Sequence, residues 1–141
     1  MNLDRKGIEH LKECEGVRLI AYKDTVGVWT IGYGATFYEN YVPVKKGDMI
    51  TLDRAEQLLR FHVSKFENAI NLLVSVPLTQ NQFNALVSFT YNVGIKAFKN
   101  STLLKKLNKS DYLGASKEFI KWVKQPELKN RRIKETDLFN S

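Results

Sequence analysis

The sequence predicts an α+β fold. A small β-lobe is expected over about residues 16–50. A mainly helical lobe is expected over about 52–141, and it takes in an N-terminal helix at 3–15. A long helix should join the lobes. Three observations predict this. First, Arg18 to Tyr22 and Val28 to Tyr33 are rich in aromatic and β-branched residues and flank Asp24-Thr25-Val26-Gly27, which has turn chemistry. Second, from Leu52 to Leu73, the residues Ala55, Leu58, Leu59, Val63, Phe66, Ile70 and Leu73 recur at helical spacing. Third, the stretch from Phe83 to Thr90 is apolar on nearly all sides, the pattern of a central buried helix.

The elements follow in order. Leu3, Ile8, Leu11 and Cys14 mark a first helix ending at Glu15, and Gly16 suits the position just past a helix end. Gly7 is a blemish in that helix. In the hairpin, even positions should share one face, polar and bare at Gly32 and Gly34, which lets a ligand or another backbone approach. Odd positions, including Ile31, should face the core. Phe37 to Val44 is either a third strand or a loop, and Gly47-Asp48 marks a turn. Thr51 reads as the N-cap of the long helix, with Asp53 in its first turn. That helix spans ~33 Å. Thr79-Gln80-Asn81-Gln82 is a capping box, and the helix it opens stops at Gly94. Ser101 caps a short helix ending near Asn108. Ser110 or Asp111 opens another, running past Phe119. Pro126-Glu127 begins a last helix to about Phe139. Repeats, low-complexity segments and linkers are absent, so residues 1–141 read as a single domain.

Composition narrows the function classes. The 141 residues are 43% hydrophobic and 26% charged, the balance of a globular protein. No apolar run approaches the roughly 20 residues of a membrane helix, so stable membrane insertion is not expected. The start, Met-Asn-Leu-Asp-Arg-Lys-Gly, carries no apolar signal region. One cysteine, Cys14, excludes an internal disulfide and fits a reducing compartment, and one Cys with two His makes no zinc site. The formal charge of +7 suits an anionic partner. The cations are scattered, without the dense basic run or aromatic motif of a nucleic-acid binder, so cell wall fits better than nucleic acid.

Glu15 and Asp24 are the candidate chemical groups. Two carboxylates in different environments suit acid/base cleavage of a glycosidic bond. Glu15 sits at the negative end of a helix, which disfavours its ionised form and suits a proton donor. Asp24 sits at a wetter turn and should stay ionised, able to activate a water that the Thr30 hydroxyl helps to hold. Each carboxylate also has an ordinary reading, as a helix-end residue and a turn-former, and spacing alone favours that reading.

The surrounding residues are more specific. Glu15, eight residues, Asp24, five residues, Thr30, running into Thr-Ile-Gly-Tyr-Gly, closely resembles the phage-type lysozymes, endolysins that cut peptidoglycan. The resemblance continues through Gly47 to Thr51, Ala55 to Leu59, Gln82 to Gly94, Ser101 to Leu104, Trp122 and Asn130-Arg131, nearly the whole chain. It implies a lysozyme-like two-lobe fold with a cleft between the lobes. Glu15 would be the general acid, Asp24 would handle the water and Thr30 would help it. Thr36, Tyr91, Asn92, Ser101 and Ser116 would line the cleft, although Ser101 reads equally as a plain N-cap. Arg131 would stand beside Glu15, while Arg132 reads as a solvated helix residue. Many relatives carry Gly-Tyr-Gly-His-Thr, and some pair that His with an Asp of the long helix. Here those positions are Ala35 and His62. The two should still face each other, with no carboxylate partner for His62.

The reading is therefore a muramidase that hydrolyses the β-1,4 bond between N-acetylmuramic acid and N-acetylglucosamine, by inversion, with no metal or cofactor. Its partner would be the peptidoglycan glycan strand, with no nucleic acid. It would act as a monomer, made in the host bacterial cytoplasm and reaching the wall through a separate holin. The rivals are a peptidoglycan-binding module that grips without cutting and a nucleic-acid-binding protein. The intact Glu15, Asp24 and Thr30 set opposes the first, since a pure binder needs no proton donor.

Overall fold

The computed structural model describes residues 1–141. The fold is mostly helical, with one small two-stranded antiparallel sheet. In chain order it runs α1 (Arg5–Glu15), β1 (Arg18–Lys23), β2 (Trp29–Gly32), α2 (Leu52–Leu73), α3 (Gln80–Val93), α4 (Ile95–Lys99), α5 (Thr102–Asn108), α6 (Tyr112–Ser116), a 3-10 turn at Phe119–Lys121, and α7 (Leu128–Phe139). The chain divides into two compact units, Leu11–Lys65 and Met1–His10 with Phe66–Ser141. The divisions fall inside α1 and inside α2.

In the unit Leu11–Lys65, α1 ends at Glu15 and Gly16 takes φ 69°, the left-handed conformation expected of it. β1 and β2 pair with Arg18 opposite Gly32, Tyr22 opposite Thr30 and Lys23 opposite Trp29. The register shifts between Arg18 and Tyr22, yet even positions still pair with even positions. The expected faces survive only in part: Ile31 and Tyr33 are buried as expected, but Leu19 is exposed and Thr30 is buried. Ile31 enters a core with Ala35, Val44 and Leu58, against which Ala21, Trp29, Tyr38 and Ile50 pack. The third segment beside β1 is not Phe37 to Val44. The Ala21 N–H donates to the Asp48 carbonyl at 2.9 Å and the Ile50 N–H to Leu19 at 2.9 Å, so the chain after the Gly47-Asp48 turn supplies it. Residues 37–43 instead close a loop of their own through the bridge of Phe37 with Pro43. The Tyr38 hydroxyl donates to Asp48 at 2.7 Å. Burial and this bond to a carboxylate push the Tyr38 phenol up to about 12.

α2 has the bounds the apolar stripe predicts, and the Arg54 N–H donates to the Thr51 hydroxyl at 3.1 Å. Ala35 is buried in the core with Leu58, and His62 lies one turn further along α2. The His62 ring meets the Phe37 carbonyl through Nε2 at 2.8 Å, so this nitrogen carries the proton. The 37–43 loop carries an acid, Glu39, whose partner is Arg54 rather than His62. Arg54 grips Glu39 with two bonds, 2.7 and 2.6 Å, and this holds the Glu39 carboxyl low.

The other unit is organised on α3. Its capping box is formed as predicted: Gln82 N–H donates to the Thr79 hydroxyl and Thr79 N–H to the Gln82 side chain. Phe83 through Thr90 are all buried. Phe89 lies edge-on to Phe98, Phe119 and Trp122. α1 starts two residues later than its apolar pattern suggests, because Asp4 caps it. The Asp4 carboxylate accepts from the Gly7 N–H at 2.9 Å and from the Asn84 amide at 2.8 Å. Gly7 is a requirement of this packing. A Cβ there would lie 2.6 Å from Asn84 Oδ1 and 2.8 Å from Leu3 Cδ2. Gly7→Ala should therefore destabilise by about 1–3 kcal/mol, because overpacking outweighs the roughly 1 kcal/mol that Ala gains in helix propensity. Chemical denaturation of the variant checks this, and a stabilised variant would contradict it.

The helix expected to run past Phe119 stops at Ser116, whose hydroxyl donates to the Leu113 carbonyl at 2.7 Å. Beyond it the chain tightens into the 3-10 turn. Glu118 is buried there and meets Lys106 at 3.1 Å and Lys121 at 2.7 Å. Hydrogen bonding to Lys121, and then to Lys106, holds its carboxyl low. The Asp4 carboxyl is likewise low, chiefly through the Gly7 N–H. Carboxyls lowered in the folded state stabilise above their unfolded values and lose that contribution as pH falls through the folded ones. Melting temperature should accordingly drop as pH falls below about 4.5. Glu118→Gln should flatten that acid limb, and an unchanged limb would contradict this account.

Candidate active site

Glu15, Asp24, Thr30 and Thr36 all belong to the unit Leu11–Lys65. Glu15 is the last residue of α1 and is half-buried. The turn after β2 faces it. Ile31 and Ala35 exchange both backbone hydrogen bonds at 2.9 Å, enclosing Gly32-Tyr33-Gly34. Gly32 takes φ 65° and Gly34 φ 99°, conformations a side chain disfavours. The two glycines thus build a tight turn, where sequence read a flat, bare strand face. The close approach expected of them is present: a Cβ on Gly34 would stand 4.0 Å from Glu15 Oε1.

Asp24 is anchored through one oxygen. Its Oδ1 accepts from the Val26 N–H at 3.0 Å and from the Val28 N–H at 2.8 Å. The Asp24 N–H donates to the Val28 carbonyl at 2.9 Å, closing the turn of the hairpin. The turn-forming role and a chemical role are therefore compatible, since Oδ2 is not part of that anchor. Thr30 is buried, and its hydroxyl donates to the Val28 carbonyl at 2.9 Å. With its proton so committed, the oxygen can only accept from a further group, which suits the proton of a water. Val28 joins the two residues, since its N–H binds Asp24 and its carbonyl binds Thr30. Thr36 is half-buried, and its carbonyl accepts from the Val44 N–H at 3.0 Å.

The remaining candidates lie in the other unit. Tyr91 is half-buried, edge-on to Phe66 at 5.0 Å. Ser101 is buried as the N-cap of α5, accepting from Leu104 N–H at 3.1 Å and donating to the Phe98 carbonyl at 2.7 Å. Ser116 is buried too, committed to Leu113 as described. Asn92 is exposed, and its Oδ1 accepts from the Arg132 guanidinium.

Arg131 is buried. It donates to Glu135 at 3.2 Å and to the Ser88 carbonyl at 2.9 Å. Arg132, expected to be solvated, has no exposed surface at all. It donates to the Trp122 carbonyl at 3.0 Å and to Glu135 at 2.6 Å, and it lies over the Phe89 ring at 5.1 Å. Glu135 is equally buried and also accepts from the Ser88 hydroxyl at 2.7 Å. The Ser88 oxygen in turn contacts His10 Nε2 at 2.9 Å. Losing Glu135 alone would leave the buried Arg132 guanidinium without its carboxylate, a change that costs ~3–5 kcal/mol. Sequence reasoning missed Arg132, Glu135 and Ser88. The only available signal was spacing, since residues three and four apart on a helix meet, and Arg131 and Arg132 both reach Glu135 that way.

Known proteins carry the same fold. The sequence model of a family described as phage lysozyme matches residues 12–135. The endolysin of Acyrthosiphon pisum secondary endosymbiont phage 1 is 44% identical over 150 residues, covering 100% of this chain and 99% of the relative. The endolysin of Salmonella phage P22 is 41% identical, with coverage of 100% and 99%. A crystal structure of a P22 lysozyme mutant matches with a TM-score of 0.93 at 40% identity, covering 100% of this chain and 99% of that one. The muramidase domain of SpmX from Asticaccaulis excentricus matches with a TM-score of 0.88 at 36% identity, with coverage of 99% and 98%.

Proposed function

Because the chain belongs to the phage lysozyme family, we propose that it hydrolyses the β-1,4 bond between N-acetylmuramic acid and N-acetylglucosamine, with Glu15, Asp24 and Thr30 as the reacting groups. The observation that carries this reading is one hairpin holding two of the three. Asp24 closes its turn through Oδ1, and Thr30 is tied to the same Val28 peptide. The turn at the far end of β2 brings Gly34 against Glu15. Glu15 donates its proton to the leaving glycosidic oxygen. Asp24 draws a proton from a water that Thr30 accepts and orients, and this water attacks the anomeric carbon from the opposite face. Gly34 leaves room beside the acid for the sugar.

The single displacement requires space for a water between the carboxyls, about 6.5–9.5 Å. Its stereochemical consequence is direct: the first-formed product is the α anomer. Proton NMR of a digest, recorded before mutarotation, checks this, and a β anomer would assign a covalent glycosyl intermediate instead.

Asn92, Tyr91 and Thr36 serve as substrate contacts in this proposal. Ser101 and Ser116 contribute through the helix ends they hold. The whole chain acts as one catalytic domain and as a monomer, and a separate holin gives it access to the wall. Clearing of chloroform-treated Gram-negative cells tests the activity, and a DNA gel shift beside it tests the nucleic-acid rival.

A further inference from the structure

We infer that Glu135, which touches no substrate in this scheme, is a positioning residue that fixes Asn92 so that it turns its amide N–H donors to the glycan strand. This rests on the reading of the chain as a peptidoglycan hydrolase. Arginine has donors and no acceptor, so the Asn92 atom facing Arg132 is its oxygen. The amide nitrogen, with two protons, is the group left for a ligand, and Asn92 is exposed enough to present it. The group it can recognise is an acceptor, such as the acetamido carbonyl or a hydroxyl oxygen of an N-acetylated sugar.

The orientation depends on where Arg132 is held. Its guanidinium is fully buried and has three anchors besides Asn92: the Trp122 carbonyl, the Phe89 ring and Glu135. Only Glu135 carries a compensating charge. Glu135 is itself fixed by Arg131 and by Ser88, which His10 backs. The line from α1 through α3 to α7 therefore ends at an amide whose rotation is determined. Asn92 and Arg132 also form part of the wall of a pocket of about 220 Å³, together with Trp122, Gln125 and Leu128.

The test uses Glu135→Gln, Asn92→Ala, the double variant, and Asn92→Asp, on soluble peptidoglycan fragments well below the melting temperature. Asn92→Asp keeps an acceptor for Arg132 and removes the donors. It should raise KM about 5–10-fold, the worth of about one hydrogen bond, with kcat little changed. Glu135→Gln should raise KM comparably and add nothing in the Asn92→Ala background, because coupled residues are not additive. A role in folding alone would lower the melting temperature and leave KM unmoved, which overturns the inference. Additive effects, or an Asn92→Asp variant with wild-type KM, overturn it as well.

A readout without substrate separates this inference from the functional reading. Relaxation of the Asn92 side-chain 15N should report an ordered amide in the wild type and a mobile one in Glu135→Gln. If the wild type fails to cut peptidoglycan, the functional reading fails, while the relaxation result still decides the positioning role. Should Glu135→Gln not fold, Ser88→Ala gives the milder perturbation. It should loosen the same amide, and an unchanged order parameter would refute the line of contacts.

Discussion

Glu15→Gln should reduce lytic activity by at least the roughly 10²–10⁴-fold typical of lost general acid catalysis. The substitution keeps the shape of the side chain at the end of α1 and its place beside Gly34. It removes the transferable proton. Nothing else in the hairpin can replace that proton, since Asp24 is the proton acceptor of this scheme and the Thr30 proton is held by a carbonyl. The fold should stay intact, because Glu15 is half-buried and glutamine retains its hydrogen-bonding reach. Clearing of chloroform-treated cells, read beside the melting temperature, checks both halves. Wild-type clearing by this variant would remove Glu15 from the mechanism.

Asp24→Asn should be nearly as damaging to activity and harmless to stability. The asparagine oxygen still accepts from the Val26 and Val28 N–H groups, so the turn is kept. What disappears is the charge that takes up a proton from water, and the expected loss is again roughly 10²–10⁴-fold. Asp24→Ala removes the anchor too. It should cost about 1 kcal/mol of stability, a typical net hydrogen-bond contribution, on top of the same loss of activity. The contrast separates the two roles that one carboxylate performs with its two oxygens. An active Asp24→Asn variant would reduce Asp24 to a turn residue.

The elements most legible in the sequence were those specified locally. The bounds of α2 followed from a repeated apolar stripe and a threonine cap, and the start of α3 followed from a capping box. The hairpin was announced by β-branched runs around Asp24 to Gly27. What the pattern hid was set by partners distant in sequence. Gly7 looked like a weak point of α1 because helix propensity is local, whereas its reason is Asn84 of α3. α4, with five residues, is too short to show a period.

The site divides in the same way. Glu15, Asp24 and Thr30 lie within sixteen consecutive residues, and hairpin logic brings two of them together. The cluster at Glu135 was illegible, because charged residues on a helix are ordinarily solvated, and only packing against α3 shows that both arginines are interior. The Ser101 hydroxyl shows how one residue type serves two readings: its cap bonds are present, and they commit both its proton and an acceptor site.

The proposed cleavage is a hydrolysis, in which the muramyl anomeric carbon takes its new oxygen from water. Purified peptidoglycan digested in water enriched in 18O, with the products read by mass spectrometry, tests it most directly. Hydrolysis yields fragments ending in reducing N-acetylmuramic acid that carries one 18O at its anomeric carbon. Fragments ending in 1,6-anhydro-muramic acid without the label, or in reducing N-acetylglucosamine, would contradict it.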